Sequence, residues 1–404
     1  MTEADEMRAG WPVVLACFVT AVIGWGFGLY GQSVYVADLH ATRGWSTALV
    51  SSASTVTYLA GAGMIVFTPR VAELLGPRIM LIAGAVIISA GAAIEARASA
   101  PWQVFLGAVV VAWGWGWTSI TAIATTLAQW FDARRGLAIS LALNGASVGG
   151  FTVAPLLVML APSVGLGVAV PAVAAGLLAL QVPMVLWATG RPRATPASVS
   201  RTVVSDGRLE VHTRAAALRT ARFWHVCAPF ALALMAQVAM LVHLVAYEIP
   251  LLGPAEAGVA IGLVSAMAVV GRLTMGALLA RLDLRFAAAA SILSQAAGIM
   301  LMWAMPETDW AQYLGCVVFG LSVGNVITLP SLIVQREFAA ASFGLVVGLS
   351  TAVGQVAYAF APGLAGVVHD VTRGYSAVLL LCVAFQVAAS VSVVLGRRSS
   401  SNPR

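Results

Sequence analysis

Apolar residues run in long blocks along this chain, and polar residues are confined to the short gaps between them. Twelve blocks reach the roughly 20 mostly apolar residues that a membrane helix needs. They cover approximately residues 12–33, 46–68, 78–96, 101–128, 136–160, 164–187, 223–247, 256–280, 286–304, 310–334, 344–368 and 376–395. Gly and Pro interrupt several of them, which bilayer helices tolerate better than soluble ones. The short alternating segments of an outer-membrane barrel are missing. The pattern therefore predicts an all-α membrane protein with twelve transmembrane helices. The first block does not read as a cleaved signal: it is too long, and Glu3, Asp5 and Glu6 make its leading flank acidic.

The longest gap, Gly190 to Arg222, is polar and rich in arginine, and it carries Pro192 and Pro196. It divides the blocks six and six. We expect one six-helix bundle over residues 1–189, a cytoplasmic linker over 190–222 and a second bundle over 223–404. A short helix near Thr213–Thr220 would suit the membrane surface. The halves echo each other. The stretch from Gln129 through Trp130, Phe131, Asp132, Ala133, Arg134 and Arg135 enters the fifth block, and Gln335 to Leu345 enters the eleventh. Spaced arginines follow the second and eighth blocks, Arg70 with Arg78 and Arg281 with Arg285. Two related bundles are the signature of a transporter that rocks about a midplane site.

Composition agrees. Hydrophobic residues make up 60% of the chain and charged residues 9%, against about 25% charge in soluble domains. That excludes a soluble fold and a disordered chain. The net charge of +6 comes from 22 basic residues, all arginine. With the leading end inside, 18 arginines fall on the cytoplasmic side, and Arg43, Arg97 and Arg373 fall outside. This is positive-inside bias, with both termini cytoplasmic, and not a nucleic-acid footprint. The all-arginine usage suggests a GC-rich genome, hence the cytoplasmic (inner) membrane of a bacterium. Cys17, Cys227, Cys316 and Cys382 sit in four separate blocks, as inert thiols and not as a metal site or a disulfide framework. No Walker loop, metal spacing or nucleophile constellation occurs. No cofactor, metal, nucleic-acid partner or enzymatic activity is expected.

One arginine is left over. Arg272 lies within a block, nine residues before Arg281, about 13 Å from the cytoplasmic end at 1.5 Å per residue. A charge at that depth costs about 3 kcal/mol on insertion scales and normally faces a wet cavity. No Asp or Glu falls at similar depth, so no counter-ion and no proton-carrying carboxylate is expected. A guanidinium in that position suits a carboxylate, held bidentately. The alternative is a structural arginine on helix-end carbonyls.

Other candidates are less sharp. Trp113 and Trp117 share a helical face and Trp115 points almost opposite. The first two read equally as a cavity wall or as packing, and Trp115 reads as packing. Trp25, Tyr30 and Tyr58 are deep enough to reach a cavity or to be capped between helices. Asn325 and Gln355 are mid-block amides that need partners, from a cavity or from another helix. His243 and Tyr247 lie toward the outer end of the seventh block, for proton coupling or, on our reading, for packing. Glu248 is expected to be solvated at the boundary. Gly145, Gly149 and Gly150 suit helix packing, and Arg134 and Arg135 suit orientation and gating.

Four stretches carry a family resemblance. They are Gly44 to Ser51, Trp130 to Gly145, His243 to Tyr247, and Val270 to Arg281 with its Gly271-Arg272 pair. In these the chain resembles the major facilitator superfamily, and within it the branch of monocarboxylate transporters and oxalate/formate exchangers, over nearly all twelve blocks. The resemblance implies two pseudo-symmetric six-helix bundles and a substrate carboxylate on Arg272. Pro69 precedes Arg70 and Ala280 precedes Arg281 where the superfamily's loop motif has Asp, which leaves its interhelical charge lock without the acid. The eleventh block offers Gln355 where oxalate exchangers carry a second cation, so one fixed charge favours a monoanion. A neutral or zwitterionic substrate stays open. The expected protein is a monomeric secondary transporter of a small organic anion, a monocarboxylate, working by alternating access in the lipid bilayer. The proton enters as coupling ion on the resemblance. A flat heterocycle, such as a vitamin or a drug, is the alternative cargo, and a non-transporting sensor is a third class.

Overall fold

A computed structural model of the chain describes residues 3–131, 134–189, 213–278 and 282–400. Asp132, Ala133, residues 190–212 of the expected linker, Ala280 and Arg281 lie outside the described residues. What is described is almost entirely helical.

Eleven described helices are long and apolar enough to cross a membrane. The helix Thr47–Ala96 carries two expected blocks. Its 50 residues would run about 75 Å, more than twice a bilayer core. The helical path breaks at Gly76 (φ 74, ψ 158), a backbone region open to glycine. Twelve spans result. Span 1 is Arg8–Arg43, spans 2 and 3 share Thr47–Ala96, span 4 is Pro101–Leu127, span 5 Arg135–Val164 and span 6 Leu166–Ala188. Span 7 is Ala221–Leu252, span 8 Pro254–Gly276, span 9 Leu284–Ala304, span 10 Asp309–Glu337, span 11 Ser342–Thr372 and span 12 Ser376–Gly396. The short helix expected on the linker forms at Arg214–Arg219, capped by the Thr213 hydroxyl.

The chain divides into two units. The first comprises Met1–Ala197 and Leu241–Gly262, the second Ser198–Met240 and Leu263–Arg404.

In the first unit, glycines bring backbones together. A Cβ on Gly91 of span 3 would lie 2.5 Å from the Val111 amide nitrogen of span 4. A Cβ on Gly149 of span 5 would lie 2.5 Å from the Val22 carbonyl of span 1, and one on Gly145 would strike the Phe18 carbonyl. Close backbone approach is how bilayer helices gain dispersion contacts, because hydrophobic burial cannot drive their pairing. Polar stitches add to this. Gln181 of span 6 donates to Thr20 Oγ1 of span 1 (3.2 Å) and to the Leu81 carbonyl of span 3 (3.3 Å). Thr57 and Thr68 of span 2 donate to the Ala108 and Gly116 carbonyls of span 4 (3.3 and 2.9 Å).

The second unit repeats the scheme. Gly298 and Gly315 bring spans 9 and 10 together, and Gly271 and Gly320 do so for spans 8 and 10. A buried amide chain joins three spans: Gln386 of span 12 donates to Gln295 of span 9 (2.5 Å), which donates to Gln237 of span 7 (2.7 Å). Arg285, in the first turn of span 9, holds Glu337 of span 10 bidentately (2.8 and 2.9 Å) and also donates to the Val393 carbonyl of span 12 (2.9 Å). The expected place of Arg285, in the loop after the eighth block, is thus corrected: it is buried in the helix of span 9. Glu337 supplies the acid that the loop motif lacks.

Candidate functional site

The first unit gathers its unusual backbone and its aromatic rings in one place. Span 1 is α-helical to Trp25, makes one π turn over Gly26–Tyr30 and resumes at Gly31, whose N–H bonds to the Gly26 carbonyl. π turns inside α-helices are rare and cluster at functional sites. The local cause is visible. Gly26 is pressed on Val153, and a Cβ on Gly28 would fall 2.5 Å from the Trp115 ring. Span 4 breaks as well. Its helix stops at Thr118, Ser119 is extended (φ −64, ψ 171), and a second segment starts at Ile120. Ser119 Oγ donates to the Gly116 carbonyl (2.9 Å) and caps the new segment through Ala122 N–H (3.4 Å). Discontinuous spans supply free backbone groups at transporter sites.

Trp115 lies where these meet. Its ring is 5.1 Å from Trp25 (53° tilt) and 6.4 Å edge-on from Tyr58, separations that favour aromatic pairs. Trp115, Tyr58 and Tyr30 are buried. Trp117 instead packs on Gly84 of span 3, and Trp113 is 48% exposed. Helical spacing puts Trp115 on a different face from Trp113 and Trp117. Which face turns inward is decided by Gly28 and Gly61, on other spans, where Trp115 finds room.

A second polar group lies just beyond the π turn. Gln32 Nε2 donates to Glu95 Oε2 of span 3 (3.1 Å), and Ser54 Oγ of span 2 donates to Gln32 Oε1 (2.8 Å). All three side chains are buried. Sequence reading missed them; the available signal was an acid inside the apolar run from Met80 to Ala96. His243, Tyr247 and Glu248 also belong to this unit and are buried. The expectation of a solvated Glu248 is therefore corrected, since it is 0% exposed. The reason is local: this part of span 7 docks on span 1, where the Val245 N–H donates to Ser33 Oγ (2.9 Å).

The second unit holds Arg272, the arginine left over within a block. Arg272 of span 8 is half-buried. Its stem lies across Gly324 of span 10, where a Cβ would come 3.0 Å from Arg272 Cγ and would strike Nε. Glycine there makes room for the guanidinium. Next in sequence, Asn325 is buried and donates to the Leu321 carbonyl (3.2 Å), and its Oδ1 has no hydrogen-bond partner among the described residues. Gln355 of span 11 is buried, with Nε2 likewise unpartnered among the described residues. Arg134 and Arg135 stand at the start of span 5, and Arg135 Nε donates to the Phe131 carbonyl (3.1 Å).

Comparison with known proteins gives consistent results. Residues 16–362 match the sequence model of the Major Facilitator Superfamily. A stretch of 162 residues is 27% identical to monocarboxylate transporter 13 of Rattus norvegicus, covering 38% of this chain and 36% of that protein. A stretch of 161 residues is 32% identical to monocarboxylate transporter 9 of Mus musculus, covering 39% and 31%. The matched region spans about a third of the length of these curated relatives (36% and 31%). The backbone resembles the crystal structure of a mutant nucleoside transporter NupG, with a TM-score of 0.76, 12% identity and coverage of 95% of this chain and 99% of that one. At that identity the likeness concerns the fold alone.

Proposed function

We propose a cargo and its anchor from one premise: the chain belongs to the major facilitator superfamily. It is a multi-pass membrane protein and a secondary transporter, not an enzyme. We infer that it moves a small organic anion, a monocarboxylate, by alternating access. Arg272 carries this reading. It is a half-buried guanidinium in the last two turns of the described part of span 8, with a glycine opposite its stem. A planar fork of donors there matches a carboxylate. The buried Asn325 Oδ1 is an acceptor on the residue next to Gly324, and it suits a hydroxyl beside that carboxylate. L-lactate is therefore the first probe. The similarity to two monocarboxylate transporters supports the same class. The arginine asymmetry supports cytoplasmic loops after the even-numbered spans, and the all-arginine usage supports a bacterial inner membrane.

The test is L-lactate uptake into proteoliposomes. Arg272→Ala is expected to lower it at least tenfold, with Arg272→Lys partly active because a point charge lacks the fork. Undiminished uptake by Arg272→Ala would sink the anchoring role. A flat heterocycle is the second reading, favoured by the Trp25–Trp115–Tyr58 rings. It predicts saturable quenching of tryptophan fluorescence by nicotinamide-like rings, unchanged in Arg272→Ala, with no lactate flux in the wild type.

A further inference from the structure

Glu95 has an environment that neither charge bookkeeping nor packing explains. It sits in the last turn of span 3 and is 1% exposed. Its Cγ lies over Gly107 of span 4, where a Cβ would come within 2.5 Å. The carboxyl is thus pinned between span 4 and Gln32 of span 1, which donates to Oε2. No arginine or histidine pairs with it among the described residues.

An ionised carboxylate in such a place is costly unless paired. One neutral amide bond is a weak offset. The facing groups can be named span by span. Span 1 presents Gln32 and Tyr35, span 2 presents Ser54 through Gln32, and span 4 presents backbone at Gly107. Of these Tyr35 alone carries an ionisable side chain. Arg97, two residues on, turns away to the Gly167 carbonyl (2.9 Å). Two buried oxygens in this group, Glu95 Oε1 and Tyr35 Oη, have no hydrogen-bond partner among the described residues. A proton on Oε1 gives that oxygen a donor and removes the buried charge. Its loss restores the charge, and Gln32 is the group that feels the change. Gln32 is two residues past the π turn, and its neighbour Ser33 holds span 7 through Val245.

We propose that Glu95 is the proton-loading carboxyl of the transport cycle, binding and releasing one proton at Oε1 and transmitting its charge to span 1 through Gln32. The proposal rests on the transporter reading, and it supplies the proton carrier that the sequence withheld. The step is a proton transfer alone; no bond between heavy atoms changes.

Two measurements on the full-length protein in liposomes test it. In the first, a pH gradient drives L-lactate accumulation, and lactate/lactate exchange is followed without a gradient. Glu95→Gln is expected to lose gradient-driven accumulation at least tenfold and to keep exchange within about twofold. In the second, infrared difference spectroscopy follows the protonated-carboxyl band as pH is raised. A band that titrates in the wild type and is missing from Glu95→Gln supports the proposal. Wild-type accumulation by Glu95→Gln, or a titrating band of undiminished amplitude in that variant, overturns it. If the amide variant fails to fold, Glu95→Asp serves: a shifted midpoint of the same band supports the proposal, and an unshifted one overturns it. Absence of lactate flux in the wild type would overturn the monocarboxylate reading, while the infrared titration, which needs no substrate, still decides Glu95.

Discussion

The two units solve the same packing problem with different reserves. Each ties its first, third and last spans by buried polar bonds: Thr20, the Leu81 carbonyl and Gln181 in one, Gln237, Gln295 and Gln386 in the other. Each sends an arginine from the start of its third span to a carbonyl near the end of its sixth, Arg78 to Leu186 and Arg285 to Val393. They part at the fifth span of each. In the first unit, Gly145 and Gly149 press span 5 onto span 1. In the second, Gly344 and Gly348 of span 11 would meet nothing within 4 Å if they gained a Cβ, and span 11 is the least buried of the described spans. The lesson is that internal repetition preserves the polar ties and leaves helix contact free to diverge. One unit is closed along that seam, and the other depends on a charged clamp at one end.

Three pairs of substitutions test that difference, the clamp first. Glu337→Ala leaves the Arg285 guanidinium buried with carbonyls alone, so a loss of about 3–5 kcal/mol is expected. Arg78→Ala, at the matching but exposed site, should stay within about 0.5 kcal/mol. Thermal unfolding in detergent compares them, and equal losses would end the idea of an asymmetric clamp. Next comes the seam. Gly149→Ala forces a Cβ into the Val22 backbone, and overpacking of this kind costs about 1–3 kcal/mol. Gly348→Ala should be neutral or raise the midpoint, since alanine exceeds glycine by about 1 kcal/mol in helices. A Gly348→Ala protein less stable than Gly149→Ala would reverse the assignment. The smallest difference concerns the amides. Gln295→Leu and Gln181→Leu each cut two buried interhelical bonds, at about 0.6 kcal/mol per bond and at most about 1.7. The first also strips the buried Gln237 Oε1 of its donor, whereas the second leaves Thr20 its bond to the Ala16 carbonyl (2.9 Å), so the first should cost modestly more. Parity in a chemical-denaturation series would show that the chain does not act as a unit.

Much of the fold was legible because lipid imposes a simple rule. A span must be apolar for about 20 residues, and twelve such blocks stand in the sequence without any tertiary information. Even the fused helix Thr47–Ala96 was legible as two, since Gly76 with Pro77 marks the break. The site was legible in part. Arg272 stood out through the cost of its charge. The partners of Glu95 did not, because Gln32 and Ser54 are 63 and 41 residues away in sequence, and their meeting is a product of helix packing. Glu337 hid for the opposite reason. Beside Arg336 it looks like ordinary loop charge, and its pairing with Arg285 is decided 52 residues upstream. The inward choice of Trp115 was equally nonlocal, set by glycines on spans 1 and 2.

The π turn at Gly26–Tyr30 has a mechanical meaning as well. Each α-helical residue advances the helix by about 100°, and a π turn carries roughly one residue more than the α-helix around it. The surplus is what lets Trp25 face Trp115 on one side of the turn while Gln32 faces Glu95 on the other. Straightening span 1 into a uniform helix would rotate one flank by about that angle and unseat either the ring or the amide. One surplus residue in span 1 is therefore what lets a single helix hold the aromatic contact and the carboxyl contact at the same time.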